Sequence, residues 1–258
     1  MVKLNTETMR TTRGNILFLI LLAVVLFAAL AYAVTSSMRG GGKSASDESA
    51  QAIASAVINY GGLLEQTVQR LLMSNDCKET QLSFENTPSG GVSYTNPSAP
   101  SKCKIFNSEG GGVSWQDPPS GFALSGEPYY FTLAPIVNLG AFQENSSTNR
   151  CINLVGDERA KCVDLIMVVL NISEPVCHAI NKMAGITYGA TMPDDMGVEG
   201  KNLPFNGTFL NRGHDDIGIW DATSWKSVLN NKPMGCYRNS TGRPWEGKYI
   251  FWYALLAR

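Results

Sequence analysis

An uncharged apolar run of nineteen residues, Ile16–Val34, constrains this chain more than any other feature of its sequence. Folded as a helix, a run of that length is about 28 Å long, close to the hydrocarbon thickness of a bilayer. Residues 1–14 form a basic leader with three Lys or Arg side chains and one Glu. Because positive charge is retained in the cytoplasm, we predict a cytoplasmic leader, a transmembrane helix or signal segment over residues 15–37, and an extracytoplasmic remainder.

Two cleavage sites compete in this segment, and an uncleaved anchor is the third alternative. Ala31-Tyr32-Ala33 fits the small-x-small pattern of a secretory signal peptide, so cleavage after Ala33 would release the rest of the chain. Arg13-Gly14, followed at once by the apolar run, instead resembles the N-terminus of type IV pilin-like proteins. That resemblance implies a cut between Gly14 and Asn15 and a helix that assembles with other pilin-like subunits.

The resemblance to pilin-like proteins has one departure. Major pilins carry a Glu at the fifth residue after the cut, whereas this chain has Leu19 there. Some minor pilins and pseudopilins also lack that Glu, so the resemblance implies a minor, initiating or tip subunit. It further implies a bacterial protein, held at the inner membrane with its C-terminal domain outside the cytoplasm, or displayed at the cell surface once assembled.

The charge balance disfavours one large class of partner. The chain of 258 residues has 21 Lys and Arg against 22 Asp and Glu, a formal net charge of −1. A nucleic-acid-binding protein normally needs a concentrated basic face, so we expect no nucleic-acid partner. Gly and Pro number 25 and 12 without a G-X-Y period, which indicates a loop-rich globular fold rather than collagen.

All cysteines follow the apolar run, and their even number predicts up to three disulfides in an oxidising compartment. They are Cys77, Cys103, Cys151, Cys162, Cys177 and Cys236. No C-x-x-C pair occurs, which disfavours a zinc site. The connectivity stays open, although Cys151 with Cys162 would close a small loop, and Cys77 with Cys103 would join a helix end to the next segment. Buried free thiols are the alternative.

Glycine and hydrophobic periodicity divide the region after the apolar run. A Gly-rich break is predicted at residues 38–43, since three consecutive glycines hold a helix poorly. An amphipathic helix follows at residues 44–75, where apolar side chains recur at steps of three and four. Gly61-Gly62 in its middle indicates a bend or a tight packing contact.

Residues 76–258 are predicted to form a disulfide-containing globular head. β-branched and aromatic runs predict strands at Tyr129–Leu133, Val163–Leu170 and Lys248–Arg258. Residues 173–185 predict a short inserted helix, with Ser before it, Pro in its first turn and Gly at its end. The predicted fold class is α+β: an N-terminal transmembrane helix and an amphipathic helix, then a mainly antiparallel sheet.

Motifs that carry chemistry are sparse. No nucleophile elbow, Walker loop, H-E-x-x-H or dinucleotide fingerprint is present, so we predict a protein that is not an enzyme. Cys177 with either His178 or His214 is a formal Cys–His pair, but a disulfide is the better prediction for an exported cysteine. Asp215, Asp216 and Asp221 offer the oxygen ligands that calcium prefers, although their spacing matches no EF-hand loop and a solvated turn explains them too.

Aromatic side chains crowd the last forty residues and support a second hypothesis. If exposed, Trp220 and Trp245 would stack on sugars or anchor a protein partner; if buried, they belong to the core of the sheet. Our first hypothesis is a non-enzymatic, membrane-anchored, pilin-like structural protein that assembles through its N-terminal helix. The alternative is a periplasmic or secreted domain, cleaved after Ala33, that binds glycan or protein.

Overall fold

The computed structural model describes residues 14–86, 94–134, 136, 163–195, 204–209, 228–229, 231–239 and 245–258. The chain divides into two compact units, Met1–Asp47 and Glu48–Arg258. Helix α1, Gly14–Ser74, contributes residues to both units. Side chains in α1 are described for residues 18–32 and 46–74.

No helix in the described part of the chain is long and apolar enough to cross a membrane. The prediction of a transmembrane helix over residues 15–37 is therefore wrong. Helix α1 does not end with the apolar run but continues to Ser74.

The Gly-rich segment 38–43 has helical backbone and lies within α1. The sequence predicts a break there because glycine in a helix interior costs about 1 kcal/mol relative to alanine. Glycine keeps the same backbone N–H and C=O groups as other residues, so a helix formed on both sides continues through it. The boundary between the two units falls between Asp47 and Glu48 instead.

The part of α1 in the second unit buries one face in the main hydrophobic core. Its buried side chains recur at steps of three and four along the helix, as the 3.6-residue period requires. They include Ala54, Val57, Leu64, Val68 and Leu71, each fully buried. The apolar stripe predicted from the sequence is thus the face that packs on the sheet, because these residues share one cluster with alternate residues of the strands.

The second unit contains a five-stranded sheet in the order β1-β2-β5-β4-β3. The strands are β1 Tyr130–Ala134, β2 Asp164–Ile172, β3 Asp194–Asp195, β4 Met234–Asn239 and β5 Tyr249–Leu256. Neighbouring strands are antiparallel, except that the two-residue β3 runs parallel to β4. The predicted α+β class and mainly antiparallel sheet are confirmed, whereas the transmembrane element of that prediction is not.

Strand β2 is buried along its whole length and separates two hydrophobic clusters. Leu165, Met167 and Val169 belong to the main core with α1. Ile166 and Val168, which alternate with them, belong to a second cluster. Since successive side chains of a strand point to opposite faces, a strand covered on both faces reads as the continuous apolar run seen in the sequence.

Helix α2, Glu174–Met183, follows β2 directly and matches the predicted inserted helix. Pro175 lies in its first turn, and Gly185 after its last turn has φ +63°. Ser173 occupies the N-cap position, but its hydroxyl donates to the carbonyl of Gly121 at 3.1 Å instead of capping the helix. The local sequence therefore sets the ends of α2, whereas the hydrogen-bond partner of the Ser173 hydroxyl comes from a loop distant in sequence.

Two disulfides join described residues. Cys77–Cys103 links the segment after α1 to a short 3-10 helix, with Cα atoms 5.8 Å apart. Cys177–Cys236 links α2 to β4, with Cα atoms 5.4 Å apart. Cys151 and Cys162 lie outside the described residues, so the predicted loop between them stays a prediction.

Candidate functional site

The first unit exposes a continuous apolar surface on α1, which we call the 18–32 segment. Phe18, Phe27 and Tyr32 are 66%, 80% and 77% exposed. Four consecutive residues, Leu19, Ile20, Leu21 and Leu22, are between 48% and 63% exposed. Consecutive helical side chains point about 100° apart, so these four cover every side of the helix rather than one stripe.

An apolar surface of this extent marks a contact region. Monomeric soluble proteins rarely expose large contiguous apolar patches, and those that do use them for interaction. A helix that is apolar on all sides is buried by several neighbours at once, since a single partner covers only one face. Covering every side of the 18–32 segment would take contact with more than one neighbouring element.

The residues proposed for processing lie in the same helix. Gly14 and Asn15 are the first residues of α1, and Ala33 lies within it. Cleavage between Gly14 and Asn15 would leave the 18–32 segment attached to the head, whereas cleavage after Ala33 would remove it. The two processing hypotheses therefore differ in whether the mature protein retains the apolar surface.

The residues considered for calcium fall outside the described ranges. Asp215, Asp216 and Asp221 lie in the stretch 210–227, and so does Trp220. Among the residues that the structure does describe, no three His, Cys, Asp or Glu side chains are grouped so that they could hold a metal ion. The calcium hypothesis and the aromatic role of Trp220 stay predictions.

Trp245 is a packing residue at a turn. It is partly buried against the second hydrophobic cluster and has a left-handed backbone with φ +69°. Its carbonyl accepts a hydrogen bond from the Lys248 N–H at 2.9 Å, which closes the turn before β5. The sequence left open whether this ring is exposed or packed, and the structure favours packing.

The formal Cys–His pair is not a catalytic arrangement. Cys177 is fully buried and bonded to Cys236, so it carries no thiol that could act as a nucleophile. His178 lies on the surface of α2, where its Nδ1 is 2.6 Å from the Tyr188 hydroxyl. Its Nε2 is 3.8 Å from Glu174, one helical turn earlier.

The second unit contains an open groove of about 850 Å³, which we call the 85–115 groove. Its lining includes Glu85, Asn86, Lys104, Phe106, Ser114 and Trp115. Two chain segments form it: Ser83 and Lys104 make a parallel bridge, and the Ile105 N–H donates to the Ser83 carbonyl at 2.9 Å. Among the described residues of these two segments the pairing is a single bridge, so they form no regular strand.

The far wall of the groove depends on three glycines at 110–112. A Cβ on Gly111 would lie 2.1 Å from the Ile105 carbonyl oxygen, and one on Gly110 would lie 2.3 Å from that of Lys104. Gly112 has φ +63°, a conformation that other residues rarely adopt. The sequence shows this triplet, but not that it brings residues 113–115 back against residues 104–106.

The aromatic side chains of the groove continue into the core. The rings of Phe106 and Trp115 meet edge to face with centroids 5.3 Å apart. Both also approach the buried Phe131, at 6.1 and 6.2 Å. Nearby, the Tyr60 hydroxyl accepts the Gln116 N–H at 3.3 Å, and burial raises the pKa of Tyr60 to about 12. This phenol therefore stays neutral and serves as a fixed contact.

Comparison of the chain with protein-family models, with curated proteins and with solved structures finds no match.

Proposed function

We propose that this protein is a non-enzymatic, pilin-like subunit that assembles with other subunits through the 18–32 segment of α1. The observation that carries the proposal is the exposure of eleven large apolar side chains in that segment, on every side of the helix. Burial of such side chains stabilises association by about 25 cal/mol per Å² of apolar area. No other described surface of the chain is comparably apolar.

Other subunits of the same kind are the partners that fit this surface best. The segment contains no charged residue, so it cannot form ion pairs with a partner whose binding groove is charged. Several copies of the same helix, packed side by side, would cover all of its faces. Contacts that repeat from one copy to the next without closing a ring generate a filament.

The disulfides support an extracytoplasmic head. Disulfides persist in oxidising compartments and are rare where thiols are kept reduced. Cys77–Cys103 and Cys177–Cys236 both lie in the second unit, Glu48–Arg258. We therefore infer that this unit functions outside the cytoplasm, at the cell surface when the subunits are assembled.

Leu19 favours a minor, initiating or tip role over that of a main subunit. Its side chain is 55% exposed and apolar, so it offers no carboxylate to the amino terminus of a neighbour. Cleavage between Gly14 and Asn15 belongs to the same proposal. The N-terminal residue of the mature protein tests it: Asn15 supports pilin-like processing, whereas Val34 contradicts it because the assembly segment would be lost.

Charge placed in the segment tests assembly. Phe27→Lys puts an ammonium group in place of the most exposed large apolar side chain of the segment, where burial among apolar helices is strongly unfavourable. We expect the variant to be lost from high-molecular-mass assemblies collected from cells expressing it. Met73→Lys is the matched control, since Met73 is 82% exposed on the same helix but lies in the second unit. Equal recovery of both variants in assemblies would contradict the proposal.

A further inference from the structure

We propose that the 85–115 groove binds a neutral oligosaccharide that carries acetamido groups. This inference does not depend on assembly through α1, because it arises from different residues in the second unit. Its volume of about 850 Å³ is within the range of roughly 300–1,000 Å³ that is typical of small-molecule sites.

The charges in the groove favour a neutral ligand. Lys104 Nζ lies 2.7 Å from Glu85 Oε2, so the two charged groups of the lining neutralise one another. Both are partly exposed, at 26% and 44%, so their polar atoms are accessible to a ligand in the groove. An anionic ligand would have to compete with Glu85 for Lys104, whereas sugar hydroxyl groups can bond to both without separating the pair.

The aromatic rings offer an apolar surface for a sugar ring. Phe106 and Trp115 line the groove, and both are only partly buried. The Trp115 Nε1–H is already bonded to Asp117 Oδ1 at 2.9 Å, so the ring is held in place and its polar atom is satisfied. Aromatic side chains of this kind combine apolar contact area with a fixed orientation, which suits the C–H face of a pyranose.

Asn86 provides the observation that points to an acetamido group. It lines the groove, and its amide nitrogen and oxygen are both buried without a hydrogen-bond partner. Such groups are normally paired, and each one left unpaired in a folded protein calls for an explanation. Rotation of the side chain towards the groove would let it accept from an acetamido N–H and donate to an acetamido C=O.

The groove is formed before any ligand arrives. Cys77–Cys103 fixes the chain immediately before Lys104, and the Asn75 side chain donates to the Lys102 carbonyl at 3.0 Å. The Gly111 N–H donates to the Lys104 carbonyl at 2.9 Å and joins the two walls. A preformed site avoids the entropic cost of ordering loops on binding.

Titration calorimetry on the full chain, in a detergent without sugar groups, tests the proposal with three probes. These are tri-N-acetylchitotriose, cellotriose, which has the same pyranose linkage without acetamido groups, and an N-acetylated tripeptide amide. We expect chitotriose to bind at least tenfold more tightly than cellotriose, and the peptide not to bind. Absence of chitotriose binding, equal binding of cellotriose, or tighter binding of the peptide would each overturn the proposal.

Two substitutions locate the site. Asn86→Ala should weaken chitotriose binding at least tenfold without lowering the thermal midpoint, because it removes two unpaired buried atoms rather than a hydrogen bond. Asn206→Ala is the control, since Asn206 is exposed and does not line the groove. Unchanged affinity in Asn86→Ala, or an equal loss in Asn206→Ala, would place binding elsewhere and overturn the proposal.

Discussion

The ring of Tyr253 on β5 lies directly against the backbone of Gly61 on α1. A Cβ on Gly61 would be 2.7 Å from Cδ2 and 2.8 Å from Cγ of that ring, closer than side-chain atoms approach one another. The Tyr253 hydroxyl also donates to Glu65 Oε2, one turn further along α1, at 2.9 Å. Glycine at position 61 thus sets how closely the helix approaches the sheet.

Gly61→Ala should therefore destabilise the second unit. Overpacking of a close contact costs about 1–3 kcal/mol, more than the roughly 1 kcal/mol that alanine gains over glycine in a helix. Gly62→Ala is the matched control, because its Cβ would meet only the Tyr253 hydroxyl at 3.6 Å. In urea unfolding, the free energy of unfolding should be lower for Gly61→Ala than for wild type, and for Gly62→Ala equal to or higher than wild type. The reverse order would contradict this contact.

Asn181 on α2 replaces a strand partner for Cys236 on β4. Its Nδ2 donates to the Cys236 carbonyl and its Oδ1 accepts the Cys236 N–H, both at 2.8 Å. Among the described residues, β3 pairs with β4 at Arg238 and Asn239, so this side chain satisfies the strand edge at Cys236.

Asn181→Ala should consequently cost about 2–4 kcal/mol in the free energy of unfolding, since two buried backbone groups lose their partners. Lys182→Ala on the exposed side of the same helix should change stability by less than about 0.5 kcal/mol. Chemical denaturation of the two variants checks this expectation. A cost for Asn181→Ala no greater than that of Lys182→Ala would show that the paired bonds contribute nothing.

Asp164 makes the stability of the sheet dependent on pH. Its two carboxyl oxygens accept the Ile136 and Arg258 N–H groups, each at 2.8 Å. Burial nevertheless raises the pKa of Asp164 to about 7, above the value of about 3.9 in an unfolded chain. The folded protein therefore retains a proton that the unfolded chain releases, and this stabilisation, complete below about pH 4, is lost as the pH rises through 7.

Asp164→Asn removes this titration and keeps the size of the side chain. The amide has one acceptor oxygen instead of two, so the variant is less stable by about 1–3 kcal/mol. The stability difference between wild type and variant should be larger at pH 5 than at pH 8, because only wild type weakens over that range. Urea unfolding at both pH values measures it. An identical difference at the two values would mean that Asp164 does not titrate between them.

The central elements of the sheet are predictable because their signals are local. The run Val163–Leu170 indicates a strand covered on both faces, and β2 is that strand. The aromatic run at the chain's end likewise corresponds to β5. For α2, Ser, Pro and Gly mark the two ends, since each has a backbone preference that acts at its own position.

The 85–115 groove is not predictable in the same way. Its two walls are joined by a single bridge between Ser83 and Lys104, so no periodic pattern marks it. The glycine triplet at 110–112 is visible in the sequence. The sequence does not show why glycine is needed there, which is the close approach of the backbone to the carbonyl of Ile105 across a turn. Similarly, the pairing of Cys77 with Cys103 is one of several that six cysteines permit, and only the fold selects it.

The exposed 18–32 segment shows where sequence reasoning erred. Hydropathy alone treats residues 15–37 as one element and predicts a membrane span. In the described part of the chain, however, no helix is long and apolar enough to span a membrane. The same residues that suggest a bilayer are equally suited to contact with other helices, because both environments exclude water.

Site-specific photo-cross-linking within α1 tests assembly most directly. A benzophenone amino acid at position 27 should join the chain to residues 18–32 of another copy or of a similar pilin-like subunit. The same group at position 73, where Met73 is equally exposed, should not give that product. Products mapped by mass spectrometry to the 18–32 segment from position 27 alone are the predicted result. Equal cross-linking from both positions, or none from position 27 in cells that express the protein, would contradict assembly through this helix.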